Sequence, residues 1–179
     1  ELAIRNQFYT PRYVAAFLVD NTLGRLWWEM RDGKTKLADQ CQYLVQRGGV
    51  KREHGKRDPR DLRILDPAQG SAHFLLYCFG LLLMIYEEAY DDPDLGPALQ
   101  ADYPDRAEYR QAVPKLILEQ NLYGIDIDLR ACQIAVLALW LRAQRAWAEM
   151  GVKMRDRPPI DQIHIVCAEP MPGEYDLLG

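Results

Sequence analysis

Several patterns that would assign a function at once are missing from this sequence. Its four cysteines form no C-x-x-C pair, so neither a metal site nor a disulfide framework is predicted. Its glycines form neither G-x-G-x-x-G nor G-x-x-x-x-G-K-[ST], which excludes the dinucleotide fingerprint and the phosphate-cradling P-loop. The formal net charge of −4 gives no whole-chain footprint for nucleic acid, although a basic groove can lie on another domain.

Long apolar runs are missing as well. The longest, residues 72–86, has about 15 residues where a membrane span needs about 20, and it is interpreted as a buried helix. No basic segment followed by an apolar core opens the chain. With widely spaced cysteines that are expected to stay reduced, this predicts a cytoplasmic protein without a membrane partner. The abrupt start at Glu1 and end at Gly179 indicate a piece of a larger protein.

What is present is an alternation of short apolar runs and longer helical patterns. Residues 62–66, 121–126 and 163–167 are predicted strands, and residues 72–86 and 129–150 are predicted helices. This alternation predicts an α/β fold with a doubly wound parallel sheet, in which a ligand lies across the carboxyl ends of the strands. An acidic, proline-containing stretch, followed by a helix near 107–119, is predicted to be a surface insertion at 87–118 whose role the sequence does not indicate.

The first 60 residues predict a small helical segment. Thr10 is a good N-cap and Pro11 suits the first helical position, and two further helical pieces are predicted at 23–30 and 37–45. Residues 47–63 carry a local excess of positive charge. A solvated loop is the favoured interpretation of this stretch, and a phosphate-facing patch is the alternative.

Two features at the predicted strand ends indicate the chemistry of a ligand. Gly70 allows close approach of the backbone, and the 66–71 loop presents N–H groups to a polar or charged group. Asp126, at the tip of the next strand, can accept two hydrogen bonds from a ribose diol. A loop with one glycine and an acidic partner suits a ligand with an amino-acid end and a nucleoside end, which describes S-adenosylmethionine.

Three stretches resemble the motifs of one family, and they occur along the chain in the same order as in that family. The sequence D-P-A-Q-G-S-A-H-F-L at 66–75 resembles the D-P-A-C-G-S-G-x-F-L cofactor motif of adenine-N6 DNA methyltransferases. F-Y-T-P at 8–11 resembles the motif that precedes it in the γ-type arrangement, and residues 121–128 are similar to the second strand, N-x-x-G-x-[DE]-I-[DN]. The resemblance is to large methyltransferases of restriction-modification and phage-exclusion systems, and it implies part of a Rossmann-like S-adenosylmethionine-dependent methyltransferase fold at 61–179 behind the helical segment at 1–60.

The resemblance also implies roles for individual residues. One group would border or line the methionine end of the cofactor: Tyr9, Thr10, Pro11, Asp66, Ala68, Gly70 and Ser71. Asp126 would hold the ribose hydroxyls, and Ile127 would pack on the adenine. The 167–169 stretch falls where the family contacts the adenine edge, without a single residue being indicated.

The sequence departs from the family pattern in three places. Gln69 replaces the usual cysteine and Ala72 the usual second glycine, where its methyl group is expected to change affinity more than fold. The catalytic tetrapeptide [DN]-P-P-[YF] does not occur anywhere, so no catalytic residue is predicted in this chain. The sequence therefore predicts the cofactor-binding part of an enzyme that methylates adenine N6 in DNA, and it predicts that this part alone is inactive.

Two other interpretations stay open from the sequence. The departures at positions 69 and 72 are also typical of a degenerate domain with a structural or interaction role. A methyltransferase acting on RNA, protein or small molecules is the third interpretation, which the motif at 8–11 disfavours. The predicted partners are S-adenosylmethionine and, through the parent protein, DNA, with a specificity or nuclease partner possible in the parent system.

Overall fold

The computed structural model describes residues 10–46 and 55–169. At its centre is a parallel three-stranded sheet of β1 (Ile64–Asp66), β2 (Leu122–Asp126) and β3 (His164–Cys167), in the order β1-β2-β3. Asp66 lies opposite Gly124 in the first pair and Asp126 opposite Cys167 in the second. The prediction of an α/β fold with parallel strands is confirmed, and this sheet is compatible with part of a doubly wound fold.

Seven α-helices lie within the described residues. They are α1 (Arg12–Val19), α2 (Arg25–Met30), α3 (Leu37–Gln40), α4 (His73–Tyr90), α5 (Gly96–Asp102), α6 (Arg106–Leu116) and α7 (Leu129–Glu149). The connection from β1 to β2 runs through α4, α5 and α6, and the connection from β2 to β3 runs through α7. Parallel neighbours need such crossover connections, and the three helices in the first of them account for the 60 positions between Asp66 and Asp126.

The helix α4 is the hub of the core. Phe79, Leu82 and Ile85 on this helix are fully buried, and the helix contacts α1, α5, α6, α7 and two of the strands. α7 buries a second apolar stripe that ends in Trp147, whose Nε1 donates to the carbonyl oxygen of Gln111 at 2.7 Å. No helix of the described residues has the length and apolar character needed to cross a membrane.

The face of the sheet that α4 and α7 do not cover is exposed to solvent in the described residues. Leu65 and Val166 are both more than half exposed, whereas Leu122 on the helix-covered face is fully buried. Side chains of successive strand residues point to opposite faces, so Asp66 and Asp126 share the covered face with Leu122. The two aspartates therefore project from one face at the ends of neighbouring strands.

The buried Asn121 joins the segment before β1 to the segment before β2. Its side-chain nitrogen donates to the carbonyl oxygens of Pro59 and Leu62 at 2.7 and 2.8 Å, and its oxygen accepts from the Tyr86 hydroxyl at 2.9 Å. One side chain thus provides hydrogen-bond partners for three polar groups of other segments. This clamp sets the two strands side by side before their loops begin.

Several predicted boundaries are wrong. The helix expected at 37–45 ends at Gln40, because side chains take the backbone groups that a longer helix would use: Asp20 Oδ2 accepts from the Tyr43 N–H at 3.0 Å, and Asn21 bonds both Tyr43 O and the Val45 N–H. Thr10 does not cap α1, which begins at Arg12 after Pro11 without a side-chain cap.

The stretch 87–105, expected as a surface excursion, completes α4 and forms α5 instead. Leu99 and, in the following helix, Tyr109 are fully buried, so this region supplies part of the core. Its acidic residues also bind the basic stretch, because Lys56 Nζ lies 2.9 Å from the buried Asp92 and Arg60 Nη1 forms an ion pair with Asp102. For the described part of that stretch, residues 55–63, these pairs favour a structural role; residues 47–54 lie outside the described residues.

Candidate ligand site at the carboxyl ends of the strands

The loop after β1 and the end of β2 are joined directly. The Gly70 N–H donates to Asp126 Oδ2 at 2.8 Å, and the Gln69 N–H donates to the Ile125 carbonyl oxygen at 3.1 Å. The other carboxylate oxygen, Asp126 Oδ1, accepts from the Asp128 N–H at 2.9 Å. Two of the sequence-predicted site residues, Gly70 and Asp126, therefore lie in contact.

Asp126 keeps acceptor capacity beyond these two bonds. A carboxylate has about four lone-pair sites, and the backbone groups of Gly70 and Asp128 occupy two of them. The Asp126 side chain is half-buried, so its free lone pairs can still be reached from outside. The next residue, Ile127, has 82% of its surface exposed, which leaves an apolar side chain uncovered beside the carboxylate.

Asp66 has an unusual environment. Its Oδ1 accepts from the Ala68 N–H at 3.2 Å, but its Oδ2 is buried and has no hydrogen-bond partner among the described residues. Burial raises the pKa of Asp66 above its ordinary value, the bond from Ala68 opposes this rise, and the nearby charge of Asp126 adds to it. A buried, unpaired acceptor of this kind is destabilising unless a donor comes to it.

The backbone of the loop turns into α4 through two left-handed residues. Gly70 has φ +53°, and a Cβ at this position would meet no atom within 4 Å, so open space lies next to the loop. Ala72, where the family has glycine, has φ +68° and is fully buried at the N-cap of α4. A non-glycine residue in this region costs roughly 1–2 kcal/mol. The alanine therefore strains the backbone at the start of α4.

Gln69 is the structural residue that sequence reasoning missed, having treated it only as a departure from the family. Its side chain is 3% exposed and reaches from the loop to α7, where Nε2 lies 3.7 Å from Cys132 Sγ. Its amide oxygen lies over Gly124 of β2, where any Cβ would overlap it and would come within 2.8 Å of Ile165 Cδ1. The available signal was Gly124 itself, because glycine inside a strand often marks a close approach by another group.

We expect Gly124→Ala to destabilise the protein by about 1–3 kcal/mol, the usual cost of overpacking. Because the Gln69 amide is the first obstacle, adding Gln69→Cys should recover part of that loss, with a coupling of roughly 0.5–3 kcal/mol in a double-mutant cycle. Urea unfolding of the four proteins measures both quantities. Gly55→Ala is the matched control, since a Cβ there meets nothing within 4 Å and stability should change by less than about 0.5 kcal/mol.

The remaining predicted site residues are distributed around this loop. Ala68 is exposed, and Ser71 is partly exposed with its Oγ 3.0 Å from His73 Nδ1. Thr10 and Pro11 are exposed at the start of α1, which packs on α4, but no hydrogen bond to the 66–71 loop is found for either of them among the described residues. Tyr9 lies outside the described residues.

The third strand closes the other side of the site. The Ala168 N–H donates to the Asp126 carbonyl oxygen at 2.8 Å, and Cys167 Sγ lies 3.8 Å from the Ile127 carbonyl oxygen. A cavity of about 320 Å³ lies beside this junction, lined in part by Leu129, Val136 and Cys167. The stretch that was expected to face an adenine edge therefore lies next to Asp126 and Ile127.

No protein-family model matches the chain. Similarity to individual proteins is clear, however. The chain is 28% identical over 154 residues to the adenine-specific methyltransferase BrxX of Escherichia coli, which covers 81% of the chain and 11% of that protein. It is 29% identical over 153 residues to the adenine-specific methyltransferase PglX of Lacticaseibacillus casei, which covers 78% of the chain and 11% of that protein.

A third relative comes from Methanocaldococcus jannaschii and has a name that describes a type II restriction enzyme and methyltransferase. It is 43% identical over 150 residues, which cover 75% of the chain and 12% of that protein. The chain thus spans only about a ninth of the length of these relatives. The resemblance drawn from the three motifs is confirmed, and the chain fits a segment of a methyltransferase similar to these relatives.

Proposed function

We propose that this chain is the S-adenosylmethionine-binding portion of an enzyme that methylates adenine N6 in DNA. One observation carries the proposal: neighbouring parallel strands end in Asp66 and Asp126, and the loop between strand and helix bonds to the second of these through the Gly70 N–H at 2.8 Å. This arrangement supports a role for Asp66 as the acceptor of an ammonium group and for Asp126 as the acceptor of a ribose. The similarity to adenine-specific methyltransferases supports the same assignment.

The residues around Asp66 fit the amino-acid end of the cofactor. The buried Oδ2 of Asp66 lacks a partner, and a positively charged α-ammonium group would supply the donor that it needs. The same contact would offset the repulsion between Asp66 and Asp126. Gly70 leaves open space beside the loop backbone, and Ala68 and Ser71 are accessible there.

The residues around Asp126 fit the nucleoside end. The carboxylate can accept the two ribose hydroxyls on lone pairs that Gly70 and Asp128 leave free. Ile127 is exposed next to it and can cover one face of the adenine ring. The positions of Tyr9, Thr10 and Pro11 in the motif assign them to the border of the methionine end, as a proposal from the resemblance.

When bound, S-adenosylmethionine supplies an activated methyl group. The residues of this chain would hold the cofactor's two ends so that the methyl group has a fixed direction, which is a contribution of positioning rather than of chemistry. Holding the extruded adenine and polarising its amino group would fall to the [DN]-P-P-[YF] tetrapeptide, which the sequence lacks. We therefore propose that DNA is the substrate of the parent protein and that this segment alone does not turn over.

Calorimetric titration of the 179-residue chain tests the proposal. S-adenosylmethionine and S-adenosylhomocysteine should each bind with saturable one-to-one heats, because both carry the ammonium group and the ribose. ATP, which has the ribose but places a triphosphate towards Asp66, should bind at least about tenfold more weakly. A folded chain that gives no heat with either adenosyl compound would contradict the proposal and favour the degenerate, structural interpretation.

A further inference from the structure

A large cavity of the described residues lies away from the strand ends. It is an open groove of about 780 Å³ that runs along the outer side of α4, between α1 and the 40–43 segment on one side and α7 on the other. Leu76, Gly80 and Met84 contribute to its floor, one helical turn apart. None of these residues takes part in the ligand site described above.

Gly80 makes the floor of the groove accessible to a large partner. It lies in the middle of the 18-residue helix α4, and a Cβ at this position would meet nothing within 4 Å. A glycine flanked by apolar residues at i−4 and i+4 lets another helix approach closely, with its side-chain ridge lying along the i±4 row. Tyr13 of α1, which is 62% exposed, adds an aromatic ring to the wall of the groove.

The charges around the groove have one sign. Arg12 and Arg142 both line it, and no carboxylate does so among the described residues. Asp20 lies buried behind two of the lining residues and accepts from the Tyr77 hydroxyl at 2.9 Å and the Tyr43 N–H at 3.0 Å. In a chain of net charge −4 this local excess of positive charge is notable.

Arg142 forms no ion pair among the described residues, and Glu149 acts on it only as a nearby charge. Its guanidinium carbon lies 5.1 Å from the centre of the Phe79 ring, and its Nη1 is buried without a hydrogen-bond partner in the described part of the chain. Burial lowers the pKa of this guanidinium from its ordinary value, which reflects the cost of keeping the charge there. An incoming carboxylate would satisfy Nη1 and offset that cost.

We propose that this groove is the docking site for an amphipathic helix of a partner protein, which places an apolar ridge over Gly80 and a carboxylate against Arg142. Helix-in-groove recognition of this kind uses apolar anchors at i, i+4 and i+7. The apolar floor disfavours a nucleic-acid backbone, which would need cations rather than Leu76 and Met84 beneath it.

Fluorescence anisotropy with a designed peptide tests the proposal on the intact chain. The probe is a labelled helical peptide of about 18 residues with leucines at i, i+4 and i+7 and one glutamate beside them, and the matched probe has glutamine at that position. The glutamate peptide should bind, and Gly80→Leu should weaken it at least about tenfold by filling the groove. Leucine favours helix more than glycine does, so this variant should fold, which a melting curve verifies.

The charge is tested separately from the shape. Arg142→Gln should remove the preference for the glutamate over the glutamine peptide, whereas Arg145→Gln, one turn along on the exposed side and paired with Glu149, should leave it unchanged. S-adenosylmethionine binding should be unaffected by Gly80→Leu. Equal peptide binding by wild type and Gly80→Leu would overturn the proposal. So would tighter binding of duplex DNA at the groove, or self-association of the chain that Gly80→Leu abolishes.

Discussion

Asp126→Ala is expected to weaken S-adenosylmethionine binding by about 100-fold. In the proposed complex, removing the carboxylate deletes two hydrogen bonds to the ribose, each worth roughly 1.5–3 kcal/mol when the acceptor is charged, with part of the loss recovered by water. It also leaves the Gly70 N–H without its partner at 2.8 Å, so the 66–71 loop loses a hydrogen bond that fixes it to the end of β2. Calorimetric titration of both proteins measures the ratio of the dissociation constants.

Asp128→Ala is the matched control for this prediction. The Asp128 side chain accepts from the Arg130 N–H at 2.8 Å and caps α7, so its loss should cost about 1 kcal/mol of stability. It has no proposed contact with the cofactor, and affinity should change by less than about twofold. A 2′-deoxyribose analogue of the cofactor should show a much smaller effect of Asp126→Ala. Equal losses for Asp126→Ala and Asp128→Ala would contradict the ribose assignment.

The ends of β1 and β2 could be predicted from the sequence because each is indicated by a local pattern of residues. A short apolar run that ends in aspartate, followed by a turn and a helix, needs no knowledge of distant residues, and it identified both Asp66 and Asp126. That Asp66 and Asp126 lie close together could be predicted from a general rule, because the carboxyl ends of parallel strands lie at the same edge of a sheet. The direct bond from Gly70 to Asp126 adds a detail that the rule does not contain.

The packing beneath the loop could not be predicted in the same way. Gln69 and Gly124 are 55 positions apart, and their fit depends on the register that sets Gly124 beside Ile165. The prediction of a helix at 37–45 was wrong at its C-terminal end for a similar reason. Asp20 and Asn21, from another segment, bind the backbone of residues 43 and 45. Propensity is a local quantity, and contacts between distant segments override it.

Asp66→Asn is expected to weaken S-adenosylmethionine binding by about 10–100-fold, because the ammonium group loses its charged acceptor. The same change should raise the free energy of unfolding of the unliganded protein at neutral pH. The wild-type carboxylate has one buried oxygen without a partner and lies near the charge of Asp126, and asparagine removes that charge. Calorimetry and urea unfolding should therefore move in opposite directions, as is common at ligand sites.

The pH dependence of both measurements follows from the raised pKa of Asp66. Between its ordinary value and its raised value the folded state binds more protons than the unfolded state, so the stability of the wild type falls as pH rises through that window. The side chain at position 66 of the variant does not titrate, so the stability advantage of Asp66→Asn over the wild type should be smallest below the window and reach its full size above it.

Cofactor affinity should have the opposite pH dependence to stability. It should rise with pH through the raised pKa, because the proposed contact with the ammonium group needs the ionised carboxylate. Asp126→Asn removes the neighbouring charge and should move the affinity transition of Asp66 to lower pH. An Asp66→Asn protein that is less stable than the wild type at neutral pH would contradict the buried, unpaired state of this carboxylate.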